Sequence, residues 1–357
     1  MGVNFGLIGC GYISKCHIEA LATFDDAKLV AVSDLINERM SEAIHHYKKL
    51  SNEHHLINLY ENYTEMLKND EVDVVIVCTV PRLHAEMAKA VLMAEKHVIL
   101  EKPMSLSLKD ADEIIQLAKD NNREVCICHP MRFKPIIKRI KQIIDEGIIG
   151  KPFLGIASIR INRSSEYYAA ANWPGDWEKD GGILVNQGMH LIDLMQWFLG
   201  DIKNVYGDNI SFSKTEETED ISLGIITFTN GAKGLIEANI ITQPKNSGYQ
   251  LSIFGNKGCI SLEGSSLNKL IRWYMIEEET NFEHLEELLK DNKEYIYMYE
   301  NFIHSIQDAN EELLIDGFEG RKVLETIFSI YHSFTKKMVI DISSSSFSSS
   351  MKDNDAE

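Results

Sequence analysis

A glycine-rich turn directly after the first predicted strand constrains the fold of this chain more than any other feature. The apolar run Val3–Ile8 leads into residues 9–14 (GCGYIS), and the amphipathic stretch 17–24 predicts a helix after the turn. A second predicted strand, residues 28–33, ends at Asp34, which follows Ser14 by twenty residues. This order of strand, Gly-x-Gly turn, helix, strand and acid is typical of a dinucleotide-binding unit.

The residues of this turn have separate physical tasks. Gly9 lets the chain turn tightly, Gly11 lets the backbone approach a pyrophosphate, and the start of the helix offers free N–H groups to the anion. Ser14 stands where a third glycine is usual, and its small side chain still allows close packing. Asp34 is placed to bond both ribose hydroxyls and to repel a 2′-phosphate, which predicts NAD rather than NADP. The alternative is an ordinary strand–helix turn with no ligand.

Up to residue 129 the sequence keeps alternating between strand and helix patterns. Residues 73–79 (DVVIVCT) form the continuous apolar run of a parallel strand that is buried on both faces. Further strands are predicted at 97–100 and 125–128, with helices at 84–94 and 108–120. We therefore expect residues 1–129 to form a doubly wound parallel α/β domain, a Rossmann fold. Its ligand crevice should lie where the strands end, at Gly9, Asp34, Thr79, Glu101, Lys102 and His129.

Past about residue 150 the rhythm changes to short strands that are separated by turn signals such as Asn230-Gly231. One helix, residues 184–199, is inserted early, and two more are predicted near 297–311 and 320–335. We therefore expect residues 130–342 to form an α+β domain with a large, open, mostly antiparallel sheet. The serine-rich stretch 343–357 has too few apolar side chains to order itself and predicts a flexible tail. The predicted strands are 153–162, 204–212, 221–229, 232–241, 250–254, 259–262 and 270–274.

The formal net charge of −18 limits the possible partners, since such a surface repels nucleic acid and anionic membranes. No apolar stretch reaches the length of a membrane span, and the N-terminus runs straight into the first strand, so neither a membrane span nor a signal peptide is expected. The six cysteines include no CxxC pair, which predicts reduced thiols in a cytoplasmic protein. Adjacent histidines at 45–46 and 54–55 would point in different directions on a helix, so no metal site is predicted.

Lys102 is the first candidate for chemistry, because Glu101-Lys102-Pro103 follows a predicted strand in the expected crevice. Pro103 has a fixed φ and favours an extended conformation of Lys102, which helps to aim the lysine. Beside a nicotinamide, a lysine can bond a reacting hydroxyl and stabilise developing oxyanion charge. A surface lysine in a turn is the alternative interpretation.

A second candidate lies on the predicted helix 184–199. Asn186, His190 and Asp193 are spaced 4 and 3 apart, which places them on one helix face beside a separate apolar stripe. Such a polar stripe suggests a lined cavity, and histidine is the natural general base near neutral pH. The preceding residues 180–182 (DGG) predict a backbone that permits close approach. A solvated or structurally bonded histidine is the alternative.

Together the motifs resemble those of the glucose–fructose oxidoreductase / inositol dehydrogenase (Gfo/Idh/MocA) family. The motifs are residues 9–13 (GCGYI), 101–103 (EKP) and 181–193 (GGILVNQGMHLID), and the resemblance extends to about residue 342. It implies a Rossmann domain and an α/β domain whose open sheet commonly forms oligomer contacts, hence a homodimer or homotetramer. It also implies an NAD-dependent dehydrogenase with Lys102 and His190 as catalytic residues. The expected cofactor contacts are Gly9, Gly11, Tyr12, Ile13, Ser14, Asp34, Thr79, His84, Glu101 and Lys102.

Residues 186–187 and the segment 167–177 are most similar to family members that act on sugar nucleotides, such as UDP-N-acetyl-2-amino-2-deoxyglucuronate dehydrogenases. Many family members have an Asp where this chain has Asn186, and an Asn cannot take a proton. The implied reaction is hydride transfer from a secondary alcohol of a sugar or sugar nucleotide, with a UDP-linked N-acetylated uronic acid as the favoured substrate. The expected substrate contacts are Arg160, Arg163, Tyr168, Trp173, Asn186 and Asp193.

Alternatives stay open for these substrate contacts and for the activity. The aromatic residues can be core residues, and the arginines can form surface ion pairs. A free inositol or aldose is the second substrate class. Outside the enzymes, the alternative is a non-catalytic NAD-binding sensor, since a fold by itself does not fix a function.

Overall fold

The computed structural model describes residues 2–51, 54–163, 181–212, 218–276, 282–308 and 310–342. Their contacts divide the chain into two compact units. The first unit comprises Met1–Pro130 and Lys293–Arg321, and the second comprises Met131–Asn292 and Lys322–Glu357. The first break therefore lies next to the boundary predicted after residue 129. The return of residues 293–321 to the first unit differs from the prediction that 130–342 form one domain.

Six strands form the sheet of the first unit: β1 (Val3–Ile8), β2 (Ala27–Ser33), β3 (Asn58–Tyr60), β4 (Val74–Val77), β5 (His97–Leu100) and β6 (Val125–Ile127). Their order is β3-β2-β1-β4-β5-β6, and each neighbouring pair is parallel. The strands β1, β4 and β5 are buried along almost their whole length, which explains their unbroken apolar sequences. Because all strands run the same way, the residues that follow them gather at one edge of the sheet.

Eight strands form the sheet of the second unit: β7 (Pro152–Arg160), β8 (Ile202–Ile210), β9 (Ile221–Phe228), β10 (Lys233–Asn239), β11 (Gly248–Gly255), β12 (Gly258–Gly264), β13 (Lys269–Met275) and β14 (Ile340–Asp341). Their order is β13-β12-β11-β7-β10-β9-β8-β14. Within the described part of this second sheet, β7 and β10 form the only parallel pair. The predicted fold class, a Rossmann sheet plus a mostly antiparallel sheet, is confirmed.

The α-helices of the described residues are α1 (Ser14–Leu21), α2 (Asn37–Ser51), α3 (Tyr63–Met66), α4 (Pro81–Met93), α5 (Leu108–Asp120), α6 (Pro135–Asp145), α7 (Met189–Leu199), α8 (Phe282–Lys290), α9 (Glu294–Gln307) and α10 (Gly317–Lys336). The local sequence explains several of their starts. Pro81 and Pro135 lie in the first turn of α4 and α6, where a missing N–H is tolerated. The Ser107 side chain accepts a hydrogen bond from the Asp110 N–H and caps α5. Among the described helices, none combines the length and the apolar character that a bilayer crossing requires.

Helix α9 belongs to the first unit because its aromatic side chains pack there. The Tyr299 ring lies 5.8 Å from the ring of Phe5 on β1. The Tyr299 hydroxyl lies 2.8 Å from Nδ1 of His17 on α1, and both residues are fully buried. The periodicity of α9 predicts a helix but does not indicate which core it joins, so the sequence placed this segment with the second domain.

The two faces of the eight-stranded sheet differ. On one face, Leu199 of α7 lies against Gly155, and Ile330 of α10 lies against Gly207 and Gly224. Side chains alternate along a strand, so the neighbours of these glycines point to the other face. That face, here called the open face, exposes the apolar side chains of Tyr206, Leu223, Ile225 and Leu235.

Candidate active site

The glycine turn of the first unit is shaped by close backbone contacts. Gly9 has a φ of 89°, and a Cβ there would lie 2.7 Å from the Cys78 carbonyl oxygen, so only glycine fits. Its N–H donates to the Ser33 carbonyl oxygen at 2.8 Å. At Gly11, in contrast, no heavy atom of the described residues lies within 4 Å of the Cβ position. The backbone of the turn is therefore closely packed at Gly9, whereas Gly11 has free space beside it.

Asp34 is fixed at the end of β2 by two backbone groups. One carboxylate oxygen accepts the Cys10 N–H at 2.8 Å, and the other accepts the Ile36 N–H at 2.9 Å. The carboxylate thus stands beside the glycine turn. The side chains of Tyr12, in the glycine turn, and of Leu35, directly after Asp34, are 87% and 90% exposed. The sequence predicted this juxtaposition of glycine turn and acid, and the structure places them together.

Two of the expected cofactor contacts, Ser14 and His84, form hydrogen bonds with backbone groups of the site. The Ser14 hydroxyl is buried and donates to the Gly11 carbonyl oxygen at 2.6 Å. His84 is buried, with its ring nitrogens 2.7 Å from the Pro103 oxygen and 3.0 Å from the Thr79 oxygen. Burial lowers the pKa of His84, although these two carbonyl oxygens favour its protonated form. Ser14 and His84 hold the backbone of the site, while Thr79 is half-buried at the end of β4.

Lys102 follows β5, and its surroundings are set by Glu101. The Lys102 side chain is half-buried, whereas the Glu101 carboxylate is buried. Burial lowers the pKa of Lys102, and the negative charge of Glu101 opposes that effect. Glu101 accepts hydrogen bonds from the Lys102 N–H at 3.1 Å and from the His17 ring at 3.0 Å. The hydrogen-bond partners of Glu101 are therefore protein groups. We expect Glu101 to influence a ligand through its effect on Lys102 and not by direct contact. The peptide bond between Lys102 and Pro103 is cis.

His190 lies in the first turn of α7, in the second unit, and is half-buried. A π-helical turn, Leu184–Gly188, precedes it. In such a turn the hydrogen bonds run from i to i+5, so the α-helical spacing that predicted one shared face does not extend to Asn186. π turns inside helices are frequent at functional sites.

Asn186 lies within this π turn and belongs to a polar chain. Its side-chain oxygen accepts a hydrogen bond from Gln187 Nε2 at 2.9 Å. Gln187 in turn accepts a hydrogen bond from the Tyr249 hydroxyl at 3.4 Å. Burial raises the pKa of Tyr249, and the positive charge of Arg163 opposes it. Asn186 is thus linked by hydrogen bonds through Gln187 to Tyr249, and the charge of Arg163 acts on that Tyr249 hydroxyl.

Asp193 has a different partner from the one that the sequence suggested. It is buried, and its carboxylate accepts from Arg132 at 3.0 Å and 2.7 Å. The Arg132 guanidinium also lies over the ring of Trp197, 5.3 Å from its centroid. Because both carboxylate oxygens are engaged inside the core, this geometry favours a structural role for Asp193 over the expected substrate contact, which stays a prediction.

The remaining expected substrate contacts separate into three cases. Arg160 is exposed on the open face and is ion-paired with Glu237, with Nε 2.9 Å from Oε1, so the surface-pair alternative describes it. Arg163 is half-buried, and its N–H donates to the Ile240 oxygen. Tyr168 and Trp173 lie outside the described residues.

Glu219 is a supporting residue that sequence reasoning missed. Its buried carboxylate accepts the Ile183 N–H at 3.1 Å and the Tyr331 hydroxyl at 2.7 Å. The Tyr331 oxygen accepts the Leu184 N–H at 2.9 Å. Glu219 and Tyr331 therefore hold the start of the segment that carries His190. In the sequence Glu219 lies in the acidic run 216–220, which has the pattern of a solvated surface and gives no signal of burial.

Two protein-family models match most of the chain. Residues 3–129 match the model described as oxidoreductase family, NAD-binding Rossmann fold. Residues 137–261 match the model described as GFO/IDH/MocA C-terminal domain. The first unit therefore carries an NAD-binding Rossmann fold, in agreement with the cofactor that the sequence predicted.

Named relatives extend these matches. A myo-inositol 2-dehydrogenase of Thermotoga maritima is 30% identical over 264 residues, which are 72% of this chain and 74% of the relative. The solved structure of the WlbA dehydrogenase from Bordetella pertussis, in complex with NADH and UDP-GlcNAcA, has a TM-score of 0.86 at 27% identity, covering 95% of this chain and 97% of that chain. A levoglucosan dehydrogenase in complex with NADH has a TM-score of 0.85 at 21% identity, covering 96% and 99% of the two chains. This last similarity supports the fold alone.

Proposed function

The chain belongs to the GFO/IDH/MocA family of oxidoreductases, and on this basis we propose that it oxidises a secondary alcohol of a sugar or sugar nucleotide with NAD. One observation carries the proposal. The strands β1, β2 and β5 are parallel, so the glycine turn, Asp34 and Lys102 all follow strands at the same edge of one sheet. In an open α/β sheet this edge is where ligands bind.

The residues at this edge fit a dinucleotide. Apart from its chain neighbours, no described residue comes within 4 Å of the Cβ position of Gly11. This leaves the space that close approach of a pyrophosphate requires. Asp34 offers a fixed acceptor for ribose hydroxyls and disfavours a 2′-phosphate. When bound, NAD supplies the hydride acceptor. The chain's own residues supply binding, orientation and proton transfer.

We assign the proton chemistry to Lys102 and His190, which match the catalytic lysine and histidine of the family motifs. Lys102, as an ammonium group, donates to the reacting oxygen and stabilises its developing negative charge. His190 takes the hydroxyl proton as the general base. Asn186 can orient the substrate but cannot transfer a proton. Glu219 and Tyr331 support this role by fixing the start of the His190 segment.

We infer that the substrate is an anionic hexose derivative, with a UDP-linked N-acetylated uronic acid as the leading candidate. Arg163 supports an anion site, because its positive charge acts on the half-buried Tyr249, whose hydroxyl is linked through Gln187 to Asn186. The WlbA dehydrogenase structure, which contains UDP-GlcNAcA, supports the same substrate class. Arg160 does not contribute, because Glu237 already neutralises it on the open face.

The test is the absorbance of reduced nicotinamide after mixing the protein and NAD with UDP-sugars, free uronic acids, inositols and neutral aldoses. We expect the highest kcat/KM with an anionic sugar nucleotide. A myo-inositol substrate is the second candidate, which the Thermotoga maritima relative favours. Far more efficient oxidation of inositol or a neutral aldose would replace the first candidate by the second. A non-catalytic sensor would bind NAD and oxidise no compound of the panel.

A further inference from the structure

We propose that Tyr299 and His17 form a hydrogen-bond chain that fixes the Glu101 carboxylate next to Lys102, which makes His17 a positioning residue for that lysine. The proposal rests on the proposed function, since it concerns the lysine to which the reaction is assigned. Its members all lie in the first unit, but they come from three separate stretches of the sequence. His17 is on α1, Glu101 follows β5, and Tyr299 is on α9.

Successive hydrogen bonds connect Tyr299 with the backbone of Lys102. The Tyr299 hydroxyl lies 2.8 Å from His17 Nδ1, and His17 Nε2 lies 3.0 Å from Glu101 Oε1. The other carboxylate oxygen, Oε2, accepts the Lys102 N–H at 3.1 Å. His17 and Tyr299 are both fully buried. Neither side chain is exposed to a ligand, so both act through Glu101.

The charge of Glu101 defines which group donates in its hydrogen bond with His17. Burial alone would raise the pKa of Glu101, but the hydrogen bond from His17 and the positive charge of Lys102 lower it below its ordinary value. An ionised carboxylate only accepts hydrogen bonds, so His17 Nε2 carries a proton and donates it to Glu101. Burial raises the pKa of Tyr299 well above its ordinary value, so its hydroxyl stays neutral and shares the second hydrogen bond with His17 Nδ1.

The neighbouring titratable groups leave Glu101 as the anion of this cluster. Besides His17, Tyr299 and Lys102, the groups near it include Cys16, Cys78, His84, Cys126, Cys128 and Tyr295. Burial raises the pKa of the four thiols and of the Tyr295 phenol, so these groups stay neutral. Burial lowers the pKa of His84, which favours its neutral form.

A metal ion is the competing explanation for part of this cluster. Ligand atoms of His17, Glu101 and Cys128 lie within 4.8 Å of one another. However, the His17 and Glu101 atoms are already in direct hydrogen-bond contact at 3.0 Å, and Cys128 is a hydrogen-bond partner of Glu101. We therefore interpret the cluster as a hydrogen-bonded anion, and the absence of a metal site stays a prediction.

The consequence for Lys102 is electrostatic. A half-buried ammonium group is destabilised by desolvation, and an adjacent carboxylate compensates for that loss. Without the donor from His17, Glu101 Oε1 keeps the longer contact from the Tyr295 hydroxyl at 3.4 Å, and Oε2 keeps the Lys102 N–H. The buried carboxylate therefore becomes easier to protonate and is held less firmly. Lys102 then loses the nearby negative charge and gives up its proton at lower pH.

The test is competitive acetylation of the full-length protein by acetic anhydride at pH 7.5, with peptide mass spectrometry and the exposed Lys245 as internal reference. Only the unprotonated amine reacts, and its fraction rises about tenfold for each unit by which the pKa falls. We expect His17→Leu to accelerate Lys102 acetylation relative to Lys245 by at least about fivefold. Glu101→Gln should act at least as strongly.

Two matched variants test whether the hydrogen bonds between Tyr299, His17 and Glu101 are the cause. His17→Gln keeps an N–H donor and should leave the acetylation of Lys102 near the wild-type rate. Tyr299→Phe keeps the ring and should produce a smaller acceleration, and it also keeps the proposal testable if His17→Leu does not fold. Unchanged Lys102 reactivity in both Glu101→Gln and Tyr299→Phe would overturn the proposal. An equal effect of His17→Gln and His17→Leu would overturn it too, because packing would then be the cause.

Activity gives a second, separable measurement. Lys102 must be protonated for its assigned role, so a lower pKa moves the alkaline decline of kcat/KM to lower pH in His17→Leu, while the Kd for NAD is unchanged. Full turnover in Lys102→Ala would remove Lys102 from the proposed mechanism, and no oxidation of any panel compound by the wild-type protein would overturn the proposed function. The acetylation result does not depend on turnover, so it would still decide whether His17 controls the charge of Lys102.

Discussion

Arg132 and Asp193 form a buried, two-oxygen ion pair in the second unit, with Nε 3.0 Å from Oδ2 and Nη2 2.7 Å from Oδ1. Removing one partner of such a pair leaves an unpaired buried charge. We therefore expect Asp193→Ala to lower the free energy of unfolding by about 3–5 kcal/mol, measured by urea denaturation. The double variant Arg132→Met/Asp193→Leu should lose less free energy of unfolding, because it leaves no unpaired buried charge. A stable Asp193→Ala protein with a raised KM would instead restore the substrate role.

Asp34 should decide between the two cofactors. Its carboxylate is held by the Cys10 and Ile36 N–H groups, so it cannot easily turn away from a 2′-phosphate. We expect NAD to bind more tightly than NADP, by a few kcal/mol at most because water is near. Asp34→Ser should narrow this difference. Fluorescence titrations with both cofactors measure it, and equal or tighter binding of NADP by the wild-type protein would contradict the prediction.

Lys102→Ala and His190→Ala should each reduce kcat strongly, by about 10²–10⁴-fold, because each removes a proton-handling group. Binding of NAD should survive, since the glycine turn and Asp34 are unchanged. Asn186→Ala should reduce kcat by a smaller factor, because an amide orients the substrate without transferring a proton. Steady-state kinetics together with NAD titrations separate these effects. Near-normal kcat in either of the first two variants would remove that residue from the mechanism.

The open face of the second unit should form a contact between copies of this chain. It exposes Tyr206, Leu223, Ile225 and Leu235, and an exposed apolar sheet face is a typical interaction surface. We expect a homodimer or homotetramer by light scattering at micromolar concentration. Ile225→Asp should weaken the assembly, whereas removal of residues 343–357 should leave it intact. A wild-type mass of only 40.6 kDa would be decisive against the prediction.

His97 should make the protein acid-sensitive. Its Nδ1 accepts the Glu124 N–H at 3.0 Å, and burial, helped by the charge of Arg123, lowers the pKa of His97 from 6.5 to about 4. Between these values the unfolded chain binds more protons than the folded chain, so stability falls as the pH drops from 6.5 towards 4. Thermal unfolding at several pH values should show a shallower decline for His97→Gln. An identical pH dependence in both proteins would exclude this contribution.

Part of the candidate site was predictable because it depends on consecutive residues. The glycine turn, the helix that follows and Asp34 form one local pattern, and the structure brings Asp34 within 2.8 Å of the Cys10 N–H. The strand ends could also be predicted, because unbroken apolar runs indicate parallel strands and parallel strands share an edge. Lys102 was placed at that edge for this reason.

The partners of the polar side chains could not be predicted in this way. The spacing of Asp193 on its helix gave a polar stripe, but Arg132, 61 residues away, turns that carboxylate into the core. The burial of Glu219 and its contact with Tyr331 gave no signal in an acidic run.

Sequence periodicity determined the class of each unit and the order of most strands and helices, because these follow from local hydrogen bonding and from which side chains avoid water. The type of cofactor followed from the glycine turn and Asp34, which form one local pattern. Only the tertiary structure decided that α9 joins the first unit and that Tyr299 and His17 hold Glu101 beside Lys102. The physical reason is that a buried charge is stable only beside its hydrogen-bond donors. Those donors come from segments that are distant in the sequence and meet only when the core packs.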